Sequence, residues 1–135
     1  MKIIIAGSRL LESKEDQAQC FRLFGHSDLL KRAMVIMSGK CRGADAHGEA
    51  WAGVQGLTVE VYPAQWSTYG RRAGPLRNQQ MIDAGARGLV VLTRGASRGS
   101  RDMLRRASGA GLAIEHYDLD ARRLHRYAAQ GSLAI

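Results

Sequence analysis

The stretch Ile3-Ile4-Ile5-Ala6-Gly7-Ser8-Arg9 decides the reading of this chain, because a β-branched apolar run ends there in a small, polar turn and a helix-like stretch follows. The same order recurs twice. Ser38-Gly39-Lys40-Cys41-Arg42-Gly43-Ala44-Asp45 follows the apolar run Met34 to Met37, and Arg94-Gly95-Ala96-Ser97-Arg98-Gly99-Ser100 follows Leu89 to Leu92. Short apolar runs alternating with amphipathic stretches are the mark of βαβ units around a mostly parallel sheet. In such a sheet these turns gather at the carboxyl ends of the strands, where free helix N-terminal N–H groups and the helix dipole attract anions. The chain therefore reads as a binder of something phosphorylated.

Working outward, strands are expected at 2–6, 33–37, 57–62, 88–93 and 112–117, with helices at about 14–31, 44–55, 75–86 and 99–110. The fold class is α/β: a single three-layer Rossmann-like domain with about five strands flanked by helices. The second helix places Ala44, His47, Trp51 and Val54 on one side, and the fourth places Met103, Leu104, Ala107 and Ala110 inward. These are core positions. Residues 1–117 are expected to form the ligand-binding domain, and 118–135 a tail containing a short basic helix, Asp120 to Ala129, with a loose end.

A chain of 135 residues suits one domain able to bury a core without staples. The net charge of +8 comes mostly from arginine, whose planar fork suits phosphate and carboxylate. That balance permits nucleic acid as a partner and equally permits a small phosphate ligand. Cys20 and Cys41 share no metal-type spacing and suggest no disulfide framework, so a reducing cytoplasmic setting fits. No apolar run approaches the roughly 18 residues of a membrane span. A soluble, unexported protein without a metal or cofactor is expected.

Several strings together resemble a known family. They are Ile3 to Arg9, Ser38-Gly39 with Gly43-Ala44-Asp45, Glu49-x-Trp51-Ala52, Pro63-Ala64-x-Trp66, Tyr69-Gly70, Ala73-Gly74-Pro75, Arg77-Asn78-x-x-Met81 and Gly95-x-Ser97-x-Gly99-Ser100. Over roughly residues 2–115 the chain resembles the YspA-type branch of the SLOG superfamily, the Rossmann-like group that includes the lonely-guy phosphoribohydrolases and the DNA-processing protein Smf/DprA. The resemblance implies a nucleotide-derived ligand across the strand ends, a cytoplasmic homodimer, and a phage, plasmid or defence setting. In the phosphoribohydrolase relatives a Pro-Gly-Gly-x-Gly-Thr turn holds phosphate, and a glutamate three residues beyond helps to cleave the N-glycosidic bond. Here Ala96 to Ser100 corresponds to that turn, but the glutamate position is Met103, and a thioether cannot act as an acid or base. Arg77 corresponds to an arginine those relatives keep at the ligand.

The candidate ligand-binding set is Gly7, Ser8, Arg9, Gly39, Gly43, Asp45, Tyr69, Arg77, Asn78, Ser97, Gly99 and Ser100. Each has a plainer reading. Gly7 to Arg9 could be only a tight turn, and Gly39 to Asp45 could simply cap the second helix. Lys40 is followed by Cys41 rather than Ser or Thr, so this is no P-loop. Asp45 and Glu49, four residues apart on one helix, are candidate catalytic carboxylates or an ordinary helix surface. Trp66 and Tyr69 lie in a Gly- and Arg-rich loop, where they could stack on a base or pack the loop down.

Three functions follow. The first is a module that senses or sequesters a nucleotide without turnover, and the absence of a glutamate at Met103 favours it. The second is an N-glycosidase acting on a nucleoside monophosphate through Asp45 or Glu49. The third is a DNA-binding accessory protein using Arg101, Arg105, Arg106, Arg122, Arg123 and Arg126, although a solvated basic face is commoner than a nucleic-acid site. A hydrolase reading is formal: Gly95-Ala96-Ser97-Arg98-Gly99 matches a nucleophile elbow, with Asp118 or Asp120 and His125 in triad order. His47-x-Glu49 lacks the downstream Cys-x-x-Cys of zinc deaminases.

Overall fold

Alternation with a period of two on both sides of the strands builds the core. In β1 (Lys2–Gly7), Ile3 and Ile5 point to one face of the sheet and Ile4 to the other; in β4 (Ala86–Thr93), Val90 and Leu92 oppose Leu89 and Val91. All seven side chains are fully buried, as expected of parallel strands covered on both faces. A computed structural model describes residues 1–130.

The remaining strands are β2 (Val35–Ser38), β3 (Thr58–Val61), β5 (Ala113–Asp118) and β6 (Arg123–Tyr127), in the sheet order β3-β2-β1-β4-β5-β6. All pairings are parallel except β5 with β6. Helices α1 (Lys14–His26) and α2 (Ala44–Val54) cover one face, where Phe24, Cys20, Trp51 and Ala52 join the core. On the other face lie α4 (Ala73–Asp83) and α5 (Arg98–Gly109), contributing Met81, Met103 and Ala107. A single-turn helix, α3 (Trp66–Tyr69), and the 3-10 turn Gly70–Arg72 lead into α4. Among the described residues no helix is long and apolar enough to cross a membrane.

Three expectations are corrected. The short basic helix expected over Asp120 to Ala129 is instead a turn and the strand β6, so the sheet has six strands rather than five. Arg122 turns the chain with φ 54°, Asp118 Oδ1 accepts the Ala121 N–H at 3.1 Å, and pairing with β5 overrides local helix propensity. The loose end expected there at 131–135 lies outside the described residues. The first helix ends at His26, where a 3-10 turn, Leu30–Arg32, takes over. Glu115, buried on β5, accepts the N–H groups of Asp28 and Leu29 at 3.1 and 3.3 Å and the Ser27 hydroxyl, which fixes that connection. Finally, Val54 is 73% exposed and Ala110 is exposed, because both fall where their helices end and leave the sheet.

The sheet order reverses between β1 and β4, and their carboxyl ends sit at the crevice where open α/β sheets receive ligands. Gly7 is required there for space. A Cβ at this position would strike the Leu92 carbonyl oxygen and lie 2.8 Å from Ala44 Cβ. Gly7→Ala is expected to destabilise the fold by about 3 kcal/mol through overpacking against backbone. Gly53→Ala, in open space on α2, is expected to stabilise it by roughly 0.5–1 kcal/mol. Denaturant midpoints of the two variants check both signs.

Candidate functional site

Ser8 begins the site by joining three elements. Its N–H donates to Leu92 O of β4 at 2.9 Å, its carbonyl accepts the Ala44 N–H of α2 at 3.2 Å, and its hydroxyl oxygen accepts the Arg94 N–H at 2.8 Å. Ser8 is buried, and its N–H, its carbonyl and the accepting side of its hydroxyl serve the frame. Gly43, at φ 76°, lets α2 begin directly against this turn, since a Cβ there would meet Arg9 Cα at 2.7 Å. Arg94, which the sequence did not single out, pins the same turn from β4. Its guanidinium holds both Asp16 oxygens at 2.8 and 2.9 Å and donates to Leu10 O at 2.9 Å. Asp16 is also half of the α1 capping box with Ser13, and Arg94 holds its carboxyl well below the usual carboxylate range.

Arg77 forms the floor. Although buried in the first turns of α4, its guanidinium donates from Nε to Asn78 Oδ1 at 3.0 Å and from Nη1 to Gly39 O, and both terminal nitrogens lie 3.8 Å from Cys41 Sγ. No carboxylate oxygen lies within 4.0 Å of it among the described residues. Gly39 makes the room: a Cβ there would stand 2.5 Å from Nη1 and 2.8 Å from Cζ of Arg77. Asn78 carries the arrangement onward by donating to Asp102 Oδ2 at 2.9 Å and Gly99 O at 3.4 Å, and Asp102 is held by Arg105 and Arg106 at 2.9 and 2.8 Å.

Arg9 reaches the same cluster from the turn after β1. Its Nη2 is 3.7 Å from Cys41 Sγ, and its Cζ stands 5.9 Å from the centroid of the half-exposed Trp66 ring. Below them Asp45 is 5% exposed and accepts the Cys41 N–H at 3.3 Å. Burial pushes its carboxyl up from 3.8 to about 6, against the pull of that N–H and of Arg77. Glu49, the other candidate carboxylate, is engaged by the Ser38 hydroxyl at 2.6 Å and by Lys40 Nζ at 3.4 Å.

Gly39, Gly43, Asp45, Arg9, Arg77 and Asn78 thus come together, with Gly99 at the edge. In the turn into α5 two backbone amides and both serine hydroxyls have partners. Ser97 caps the Ser100 N–H at 3.2 Å and donates to Ser100 Oγ at 2.9 Å, while Asp120 takes the Gly95 N–H at 2.7 Å. Ser100 is buried, and Met103 is a core residue at 1% exposure. The formal triad does not assemble, since Ser97 bonds Ser100 and His125 lies across from His116 with ring centroids 5.7 Å apart. Tyr69 lines a cleft of about 410 Å³ with Pro63, Arg72, Leu76 and Arg77, which opens along α4 beside the guanidinium floor. Cys41 and Lys40, which were not among the candidate residues, also lie in this cluster. Their position inside the second glycine-rich turn was the available signal.

The sequence profile of the YspA, cpYpsA-related SLOG family matches residues 1–69. Gene 61 protein of Mycobacterium phage D29 is 31% identical over 124 residues, covering 86% of this chain and 95% of that protein.

Asp45 has a measurable consequence. The folded chain keeps a proton that the unfolded chain, titrating near 3.8, has released, so this group's contribution to stability falls as pH rises from about 4 through about 6. Asp45→Asn is expected to remove that fall, which is at most about 3 kcal/mol for the shift concerned. Denaturant titrations of the two proteins across pH 4 to 7, the range set by that shift, provide the check.

Proposed function

Because the chain belongs to the YspA, cpYpsA-related SLOG family, we propose that it binds a nucleotide or nucleotide-derived phosphorylated ligand at the carboxyl ends of the strands, as a sensor or sequestering module. The observation that carries this reading is Arg77. A cation buried to this degree with no carboxylate within ion-pair distance among the described residues, and only the raised carboxyl of Asp45 nearby, is costly, and an anionic ligand would offset the cost. Arg9 supplies a second guanidinium beside it, and the start of α2 adds a positive dipole end. The phosphate would lie between the two arginines, above Gly39 and Cys41. The rest of the ligand would run along the cleft toward Tyr69 and Arg72, where aromatic and apolar surface suits a base.

Asp45 supports a second reading, hydrolysis of the N-glycosidic bond of a nucleotide. A buried carboxyl with its titration moved to about 6 is suited to giving or taking a proton near neutral pH, and it lies beside the proposed phosphate position. Glu49, tied to Ser38 and Lys40, is a less available acid.

Native mass spectrometry with mono-, di- and cyclic nucleotides tests both. A retained, unaltered nucleotide is expected. In Arg77→Gln its affinity should fall about 30-fold, which corresponds to roughly 2 kcal/mol for charge-assisted hydrogen bonds. Arg87→Gln, at the opposite end of β4, should bind as wild type does. Free base accumulating with time, and lost in Asp45→Asn, would establish the hydrolytic reading instead. Equal weakening by both arginine substitutions, with steep salt dependence, would point to a diffuse nucleic-acid surface.

A further inference from the structure

The sheet ends on a strand left open to solvent. Helix α5 packs on β4 and β5, whereas four of the five residues of β6 are exposed, Tyr127 to 53%. A groove of about 330 Å³ lies between α5 and this strand, lined by Leu104, Arg105, Ser108, Ile114, His116 and Tyr127. Ile114 is buried and Leu104 partly so, which makes the base of the groove apolar. Ile114 and Tyr127 pair toward the amino end of β5, away from the crevice at the carboxyl ends of β1 and β4. Both walls carry guanidinium groups. Strand alternation puts Arg123 and His125 on the same face as Tyr127, and Arg98, Arg101 and Arg105 recur at helical spacing along the exposed ridge of α5. Arg98, Arg101 and Arg123 have no carboxylate oxygen within 4.0 Å among the described residues. Arg105 gives one nitrogen to Asp102 at 2.9 Å while its side chain stays 76% exposed. Asp118, opposite Arg123 in the register, accepts the Ala121 N–H with one oxygen. Two other basic residues are set apart: Arg106 turns to Asp102 and to Gln79 on α4, and Arg126, on the opposite face of β6, pairs with Asp28 at 3.4 Å.

We propose that the groove between α5 and β6 binds a single strand of nucleic acid, with the Tyr127 ring stacking on a base and Arg98, Arg101, Arg105 and Arg123 meeting its phosphates. Cations that track a backbone beside an exposed ring that takes the bases are the means by which proteins hold unpaired strands without reading their sequence. Arginine suits both tasks, because its planar fork bonds phosphate and its face stacks on a base. The groove volume lies at the low end of ligand pockets and gives room for one base and its sugar over the apolar floor of Leu104 and Ile114. The ring favours an unpaired strand, since a duplex keeps its base faces stacked inside. An acidic peptide would meet the same cations, but its charges alone would leave the ring and the floor without a flat partner.

Fluorescence anisotropy with a labelled oligothymidylate of about 12 nucleotides, titrated between about 50 and 200 mM salt, tests the groove. Binding is expected to weaken with salt at a logarithmic slope of about −3, the value for four phosphates on a single strand. Tyr127→Ala should weaken it about tenfold through lost stacking. The double variant Arg101→Gln, Arg123→Gln should flatten the slope by about 1.4. All three side chains are exposed, so these substitutions leave the core intact. Arg126→Gln, on the other face of β6, should bind as wild type does. No binding at the lower salt, an affinity unchanged in Tyr127→Ala or in the double variant, or an equal loss in Arg126→Gln overturns the proposal. A duplex of the same length that binds as tightly also overturns it. So does an oligoglutamate of equal charge that competes as well as the oligonucleotide, which would assign the groove to an acidic protein partner. Loss of strand binding in Arg9→Gln would move the strand to the crevice and overturn the groove. None of the groove residues belongs to the crevice, so failure to retain a mononucleotide leaves this result standing, and the converse holds equally.

Discussion

Three backbone segments converge on Ser8, and the rest of the molecule depends on how closely they do so. Its amide, carbonyl and hydroxyl each bond a different partner, tying the end of β1 to β4, to α2 and to the turn after β4. A buried polar group left without its partner costs about 1–3 kcal/mol, so loosening any one of these contacts penalises the others. The convergence is possible because Gly7 and Gly43 flank it. Side chains there would meet the Leu92 carbonyl and the backbone of Arg9. The glycines of the first two turns therefore shape the crevice by letting main chains touch, and the charged groups are set around that frame.

Two arginines at the carboxyl edge of the sheet differ in burial and in partners. Arg94 closes on both oxygens of Asp16, which is itself committed to the α1 capping box, and the pair staples the first turn to the fourth strand. Both charges are satisfied internally. Arg77 is more deeply buried than Arg94, yet it meets a carbonyl, an amide oxygen and a sulfur instead of a carboxylate. The nearby carboxyl of Asp45 lies beyond ion-pair distance, and burial favours its protonated form. The guanidinium thus has no ion-pair partner within 4.0 Å among the described residues, while burial moves the carboxyl beside it up to about 6.

The turn into α5 shows the opposite economy. Its serines bond one another and its first glycine amide is taken by Asp120, a residue of the β5–β6 connection that has no place in a purely parallel sheet. The connection to the antiparallel strand thus brings a carboxylate to the Gly95 amide.

The sequence by itself determined the α/β class, the five parallel strands and the grouping of the polar turns, because periodic burial and glycine-rich turns are local signals that survive without tertiary information. It also marked Arg77 and Asp45 as residues near one another in function. It could not reveal the sixth strand, since Arg123 to Tyr127 adopts a strand only by pairing with β5. Nor could it show that the Ser8 hydroxyl accepts the Arg94 N–H, that Ser97 bonds Ser100, or that two guanidinium groups, contributed from 32 and 36 residues away, lie within 3.8 Å of the Cys41 sulfur. The tertiary structure decided these points. Whether a polar group is free, paired or buried depends on partners distant in the chain, and only folding brings those partners within hydrogen-bonding reach.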